Sequence, residues 1–180
     1  MVRKAACFMG IIMMSFLGAA AQEDISKVDV FGGYAYFDRA HGLGAVNLNG
    51  WEAQGTYNFN RWLGATADFG GYYARPGPSI DFNEYTFLFG PTVSLRTPHI
   101  TPFAHALFGV SHLYDGAFPN APSHTPFTFA LGGGVDVPVK GRLVIRAIQL
   151  DWIRANYAYT PDNILRVSTG LVFRLGSSGR

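Results

Sequence analysis

The segment N-I-L-R-V-S-T-G-L-V-F-R-L, residues 163 to 175, separates into two faces when every second residue is taken. Leu165, Val167, Thr169, Leu171, Phe173 and Leu175 make an almost wholly apolar face. Ile164, Arg166, Ser168, Gly170, Val172 and Arg174 make the other, which carries two arginines, a serine and a glycine. A repeat of two residues is the mark of a strand. The chain repeats the pattern about eight times, with no helical stretch to cover either face. The economical arrangement is all-β: an eight-stranded antiparallel up-and-down barrel turned inside out, apolar side chains toward lipid and polar ones inward.

Upstream of this segment the spacing predicts strands over 28–37, 50–59, 63–73, 82–96, 101–113, 126–137 and 142–154. The second is the cleanest. Trp51, Ala53, Tyr57 and Phe59 face one way, and Glu52, Gln54, Thr56 and Asn58 the other. In the fourth, Pro91 has no N–H for the ladder, so a bulge or local break is expected at Gly90 and Pro91. In the seventh, Arg146 is even-numbered while Gln149 and Asp151 are odd. All three can face inward only with a bulge near Ala147 and Ile148.

The connections alternate long and short, with glycine- or proline-bearing loops expected over 38–48, 74–81, 114–125 and 155–161. Bacterial outer-membrane barrels have short periplasmic turns and longer outer loops. On that topology Tyr36, Trp51, Tyr73 and Trp152 fall at the outer end and in the outward phase, and Phe59 and Phe173 at the periplasmic end. Together they read as an aromatic girdle at each interface.

Energetics sets the direction of the faces. An arginine pointing at lipid near the midplane costs about 2–4 kcal/mol. Reversing the second, third, fourth and eighth strands would expose Glu52, Asp68, Glu84, Arg96 and Arg166 together. Net folding stability is about 5–15 kcal/mol in a typical domain, so that phase is not viable.

The first residues are a separate module. Arg3 and Lys4 precede the apolar run C-F-M-G-I-I-M-M-S-F-L of residues 7–17, and Ala19 and Ala21 supply a small-x-small cleavage pattern. This is the pattern of a secretory signal peptide over 1–21, leaving residues 22–180 as the barrel. Cleavage removes Cys7, the single cysteine, so no disulfide is expected in the exported chain. It also removes two of the 14 Lys+Arg, which leaves the mature chain balanced against its 12 Asp+Glu. The basic character of the precursor therefore argues for no nucleic-acid partner.

Several stretches carry a family resemblance: D-V-F-G-G-Y-A-Y-F at 29–37, W-E-A-Q-G-T-Y-N-F-N-R-W-L-G-A-T-A-D-F-G-G-Y-Y at 51–73, T-P-F-A-H-A-L-F-G-V at 101–110, and the glycine-bearing closing strand. With these the chain resembles the OmpA/OmpX-type small outer-membrane β-barrels over essentially its whole mature length. The resemblance implies a monomeric barrel inserted by the outer-membrane assembly machinery, in contact with outer-membrane lipid and lipopolysaccharide. Such barrels commonly end on an aromatic residue. Here Phe173 is followed by R-L-G-S-S-G-R, and no peptidoglycan-binding domain is expected after it.

Inside such a barrel Glu52, Asp68, Glu84, Asp136 and Asp151 can meet Arg96, Arg146 and Arg166, since buried charges must be paired. Asp151 and Arg166 are expected at one height on neighbouring strands. The reading is an ion-pair plug in a structural or surface-interaction protein, with a narrow porin-like pore for small solutes as the alternative. A lipid-modifying enzyme is the weaker alternative. Ser111, His112 and Asp115 cluster, with His124 in the next loop, but Ser111 and His112 are adjacent on a strand and face opposite sides. His105 falls mid-strand with no partner that spacing can place. Histidines at 41, 99, 105, 112 and 124 lack metal-ligand spacing. No catalytic, cofactor or metal site is expected, and the spacing selects no ligand for the outer loops.

Overall fold

The structure, a computed structural model, describes residues 26–39, 46–77, 80–115, 125–156 and 161–177. The leader and the tips of the long loops, including His41, Pro119 and His124, lie outside the described residues. Eight strands follow one another: β1 Ser26–Arg39, β2 Val46–Asn58, β3 Leu63–Gly77, β4 Ile80–Ser94, β5 Thr101–Asp115, β6 Phe127–Lys140, β7 Leu143–Asn156 and β8 Pro161–Ser177. Each pairs antiparallel with the next, and β8 returns to β1 to close the barrel. Closure leaves no sheet edge, the condition for strands to cross a bilayer. A spanning strand needs about 9–11 residues, so these strands of 13 to 17 residues project past the hydrocarbon.

The alternation read in β8 is present in space. Ile164, Arg166, Ser168 and Val172 are buried, while Leu165, Leu171, Phe173 and Leu175 are exposed on the outer wall. The same holds in β2, with Glu52, Gln54 and Asn58 inside and Trp51 and Tyr57 outside.

In β7 the phase changes where the spacing demanded it. Val135 pairs with Ile148 but Asp136 with Arg146, so Ala147 is the extra residue of a bulge. Facing β8, the register shifts between Arg146 and Gln149. Arg146, Gln149 and Asp151 are therefore all buried in the lumen, and Ala147 and Ile148 face outward. The bulge disrupts the ladder at the Arg146 carbonyl, and Thr169 Oγ1 donates to that carbonyl at 3.0 Å from the outer face of β8.

One expectation needs correction. Residues 74–81 are not a long loop. β3 runs to Gly77 and β4 begins at Ile80, with those two residues paired and a register irregularity between Ala74 and Gly77. The ladder continues upward as far as Gly77 and Ile80. At Gly90 and Pro91 the expected bulge or local break takes the form of a local break without a bulge. Both pair regularly with β3. Toward β5 the pairing lapses at these two residues and resumes at Thr92–His105 in the register held at Phe89–Phe108. Pro91 removes a donor without adding a residue, so the ladder loses bonds and keeps its phase.

The short turns all lie at one end. In the β2–β3 turn, Asn60 Oδ1 accepts from the backbone N–H groups of Trp62 (2.9 Å) and Leu63 (2.8 Å). The β6–β7 turn rests on Gly141 at φ +59°, a conformation that only glycine adopts without strain.

Candidate functional site: the barrel lumen

The inward positions stack in three layers. At the short-turn end, Asp29 accepts from Ser26 Oγ (2.5 Å), Asn58 Nδ2 (3.0 Å) and Arg96 Nη2 (2.9 Å). Thr56, Thr66 and Thr92 join hydroxyl to hydroxyl across β2, β3 and β4 at 2.8 and 2.6 Å. Arg174 Nη2 donates to Thr101 Oγ1 at 3.1 Å.

The middle layer is built on two guanidinium groups. Arg146 donates to Asp136 through Nε (2.8 Å) and Nη2 (3.2 Å), and through Nη1 to the carbonyl oxygens of Gln54 and Gln149, both at 2.6 Å. Its planar head lies between the rings of Phe31 and Phe103, 4.3 and 4.2 Å from the centroids. Such a sandwich adds a cation–π attraction on each face. The bulge at Ala147 aims Arg146 into this slot.

Arg166 is the second hub. It reaches Asp68 in a fork, Nη1 to Oδ1 at 3.1 Å and Nη2 to Oδ2 at 2.9 Å. Nε donates to Asp151 Oδ2 at 2.8 Å, Nη1 donates to the Tyr72 hydroxyl at 2.9 Å, and Nη2 lies 3.4 Å from Glu52. Glu52 also accepts from Gln54 (2.5 Å), from Gln149 (2.8 Å) and from the Ser168 hydroxyl. The two amides tie the hubs into one network that crosses the lumen. Asp151 takes a further contact on its other side, Oδ1 to His105 Nε2 at 2.6 Å.

Above this lies a large apolar cluster, beside the buried Glu84, Thr86, Ser111 and Thr128. Ala35, Phe37, Leu48, Tyr72, Leu88, Leu107, Ala130, Ile153 and Ile164 form one buried cluster, with Tyr72 stacked on Phe37 at 4.2 Å. The polar-inward rule thus holds for only part of the lumen: Phe31, Val144 and Val172 form a second apolar cluster toward the short-turn end. Lipid forbids charge on the outside but places no demand for polarity on the inside, and an eight-stranded barrel is narrow enough to be packed solid.

The structure brings together Glu52, Asp68, Asp151 and Arg166 as one cluster and Asp136 with Arg146 as a second. Arg96 pairs instead with Asp29, which was not among the expected members. Glu84 is buried opposite Tyr72 and Leu113. Sequence reasoning missed Asp29, Gln54, Tyr72, His105 and Gln149 as members. The alternation in β2 and β7 did mark the two glutamines as inward.

Of the expected girdle, Trp51 and Tyr73 touch on the outer wall, Trp51 Nε1 to the Tyr73 hydroxyl at 3.4 Å. Tyr36 and Tyr73 flank Asn49 on one register line. Tyr34, bonded to Asn49, and Tyr85, edge-on to Tyr73, join them. Trp152 packs edge-on against Phe129. Phe59 and Phe173 are exposed near the opposite end. Ser111 is buried inside the barrel and accepts from the Thr128 hydroxyl at 2.9 Å. His112 lies on the outer wall beside Thr125.

The fold and its layered lumen define the class: a small transmembrane β-barrel of the outer-membrane type. No protein-family model and no curated protein matches the chain. Solved structures do. The crystal structure of Neisserial surface protein A superposes with a TM-score of 0.69 at 16% identity, covering 85% of this chain and 100% of that one. Ail, the attachment invasion locus protein of Yersinia pestis, gives 0.56 at 18% identity over 83% of this chain and 99% of that one. The N-terminal β-barrel domain of Pseudomonas aeruginosa OprF gives 0.50 at 10% identity, covering 82% and 98%. The chain is similar to these in fold.

Proposed function

We propose that residues 22–180 form a non-enzymatic outer-membrane barrel with a closed lumen, oriented with its short turns in the periplasm. It serves as a rigid scaffold for surface contacts. The observation that carries the closed lumen is the pair of stacked barriers: the Arg166 network across the middle and the apolar cluster above it. The free space below, among Thr56, Thr66, Thr92, Arg96, His105 and Arg146, is about 20 Å³, the room of one water molecule. A narrow pore would have to displace both barriers.

The scaffold role is supported by β3 and β4, which carry their ladder up to Gly77 and Ile80, past the Trp51–Tyr73 contact. Ser111 and His112 occupy opposite sides of the wall, which disfavours a Ser–His nucleophile pair. Two of the proteins with this fold bear names denoting surface location and attachment, and a surface role is extended to this chain as part of the proposal.

Planar-bilayer recording tests the closed lumen. The wild-type barrel is expected to stay silent. Arg166→Glu combined with Leu48→Ala and Leu107→Ala opens both layers and is expected to conduct, provided its band still shifts on heating as a folded barrel does. Steady wild-type conductance would overturn the closed-lumen reading.

A further inference from the structure

Among the described residues, the charged side chains of the short-turn rim that stay out of the lumen are all basic. Lys27 lies at the start of β1, Arg61 in the β2–β3 turn, Lys140 at the end of β6 and Arg142 in the β6–β7 turn. Lys27, Lys140 and Arg142 are exposed and Arg61 is half-buried. Among the described residues none of the four Lys and Arg side chains has an ion pair or hydrogen bond. The described carboxylates at this end are Asp29 and Asp136, both turned into the lumen and held by Arg96 and Arg146. The turns themselves carry no Asp or Glu.

Two features select the partner. The four Lys and Arg stand at the start of β1 and at the β2–β3 and β6–β7 turns, two turns that lie half the barrel apart, whereas a docked protein would need them on one side. They also stand beside exposed apolar side chains: Phe59, Trp62, Ile100 and Val139. Long basic side chains lay their stems on such surface and raise the charged head to the interface. We propose that this rim binds the anionic headgroups of phospholipids in the periplasmic leaflet and so anchors the barrel at a fixed depth. The leaflet assignment rests on the orientation proposed above, and the headgroup preference does not.

The test uses the mature barrel refolded in vesicles of phosphatidylcholine with and without phosphatidylglycerol, with retained lipid read by native mass spectrometry. The wild type is expected to retain phosphatidylglycerol preferentially. Lys27→Gln, Arg61→Gln, Lys140→Gln and Arg142→Gln are each expected to weaken that preference about five-fold at low salt. The single changes keep the test usable if the combined variant misfolds. An undiminished preference in the variants overturns the proposal. So does a wild type that ignores phosphatidylglycerol but binds soluble polyglutamate. Orientation is read separately from Pro98→Cys and a membrane-impermeant maleimide. Labelling only after the outer membrane is permeabilised supports the periplasmic assignment, and labelling of intact cells overturns it while leaving the vesicle result standing.

Discussion

His105 on β5 and Asp151 on β7 touch at 2.6 Å across the strand that separates them. They can do so because Gly132 of β6, in register with both, has no side chain: a Cβ there would stand 1.8 Å from Asp151 Oδ1. Three residues far apart in the chain thus make one contact, with the glycine supplying the space. Gly132→Ala forces the carboxylate off His105 and disturbs its bond to Arg166. The expected loss is about 1–3 kcal/mol, the range for overpacking a filled interior, measured by urea unfolding in lipid vesicles. Gly55→Ala is the control. Its Cβ would meet nothing within 4 Å, so it should leave stability unchanged.

Arg166 is the shared partner of Asp68, Asp151 and Glu52, all fully buried. Removing it leaves those carboxylates without their cation. Arg166→Met should therefore cost about 3–5 kcal/mol, as expected when one member of a buried ion pair is deleted. Arg166→Lys should recover little of this. A single ammonium cannot reproduce the fork on Asp68 together with the Nε bond to Asp151. Near-complete recovery of the unfolding midpoint by lysine would show that charge alone, without the fork, holds the layer.

These contacts mark where the sequence stops being informative. Alternation locates inward positions well, because lipid penalises every error on the outer wall. It also located the Ala147 bulge, since Arg146, Gln149 and Asp151 could not otherwise share a side. Alternation is a property of one strand, however. It cannot say which residues meet across the lumen, so the reach of Arg146 to Gln54 and the Asp29–Arg96 pair were not legible. The apolar cluster around Leu88, Leu107 and Ile153 was equally hidden, because leucine at an inward position satisfies the period as well as threonine does. Nor does spacing separate a proline that bulges a strand from one that only omits a bond, the distinction that decided Pro91.

The bulge makes its own prediction. Thr169 faces the outer wall, yet its hydroxyl satisfies the Arg146 carbonyl at the bulge. In hydrocarbon an unmet carbonyl has no water to turn to. Thr169→Val keeps the shape and removes the donor, and should cost about 0.5–1.5 kcal/mol. Thr169→Ser keeps the donor and should cost less. Amide exchange at residues 146–149 should quicken in the valine variant alone, which separates a local effect at the bulge from a general loosening of the barrel.

The aromatic positions predict depth. Trp51 is bonded to Tyr73 and Trp152 packs on Phe129, both on the outer wall toward the long-loop end, whereas Trp62 stands exposed in a short turn. These are the three tryptophans of the chain. Indole rings favour the membrane interface, where the ring is apolar and the N–H wet. Single-tryptophan variants, with the other two changed to Phe, should therefore report three shallow depths. Quenching by phospholipids brominated near the headgroup should be strong for each, and by those brominated at the chain ends weak. In vesicles entered from one side, a water-soluble quencher added outside should reach Trp62 with opposite efficiency to Trp51 and Trp152. Strong chain-end quenching of Trp51 would place it at the bilayer centre and remove it from the girdle. Equal accessibility of all three to the soluble quencher would mean that the apolar wall does not lie in a membrane.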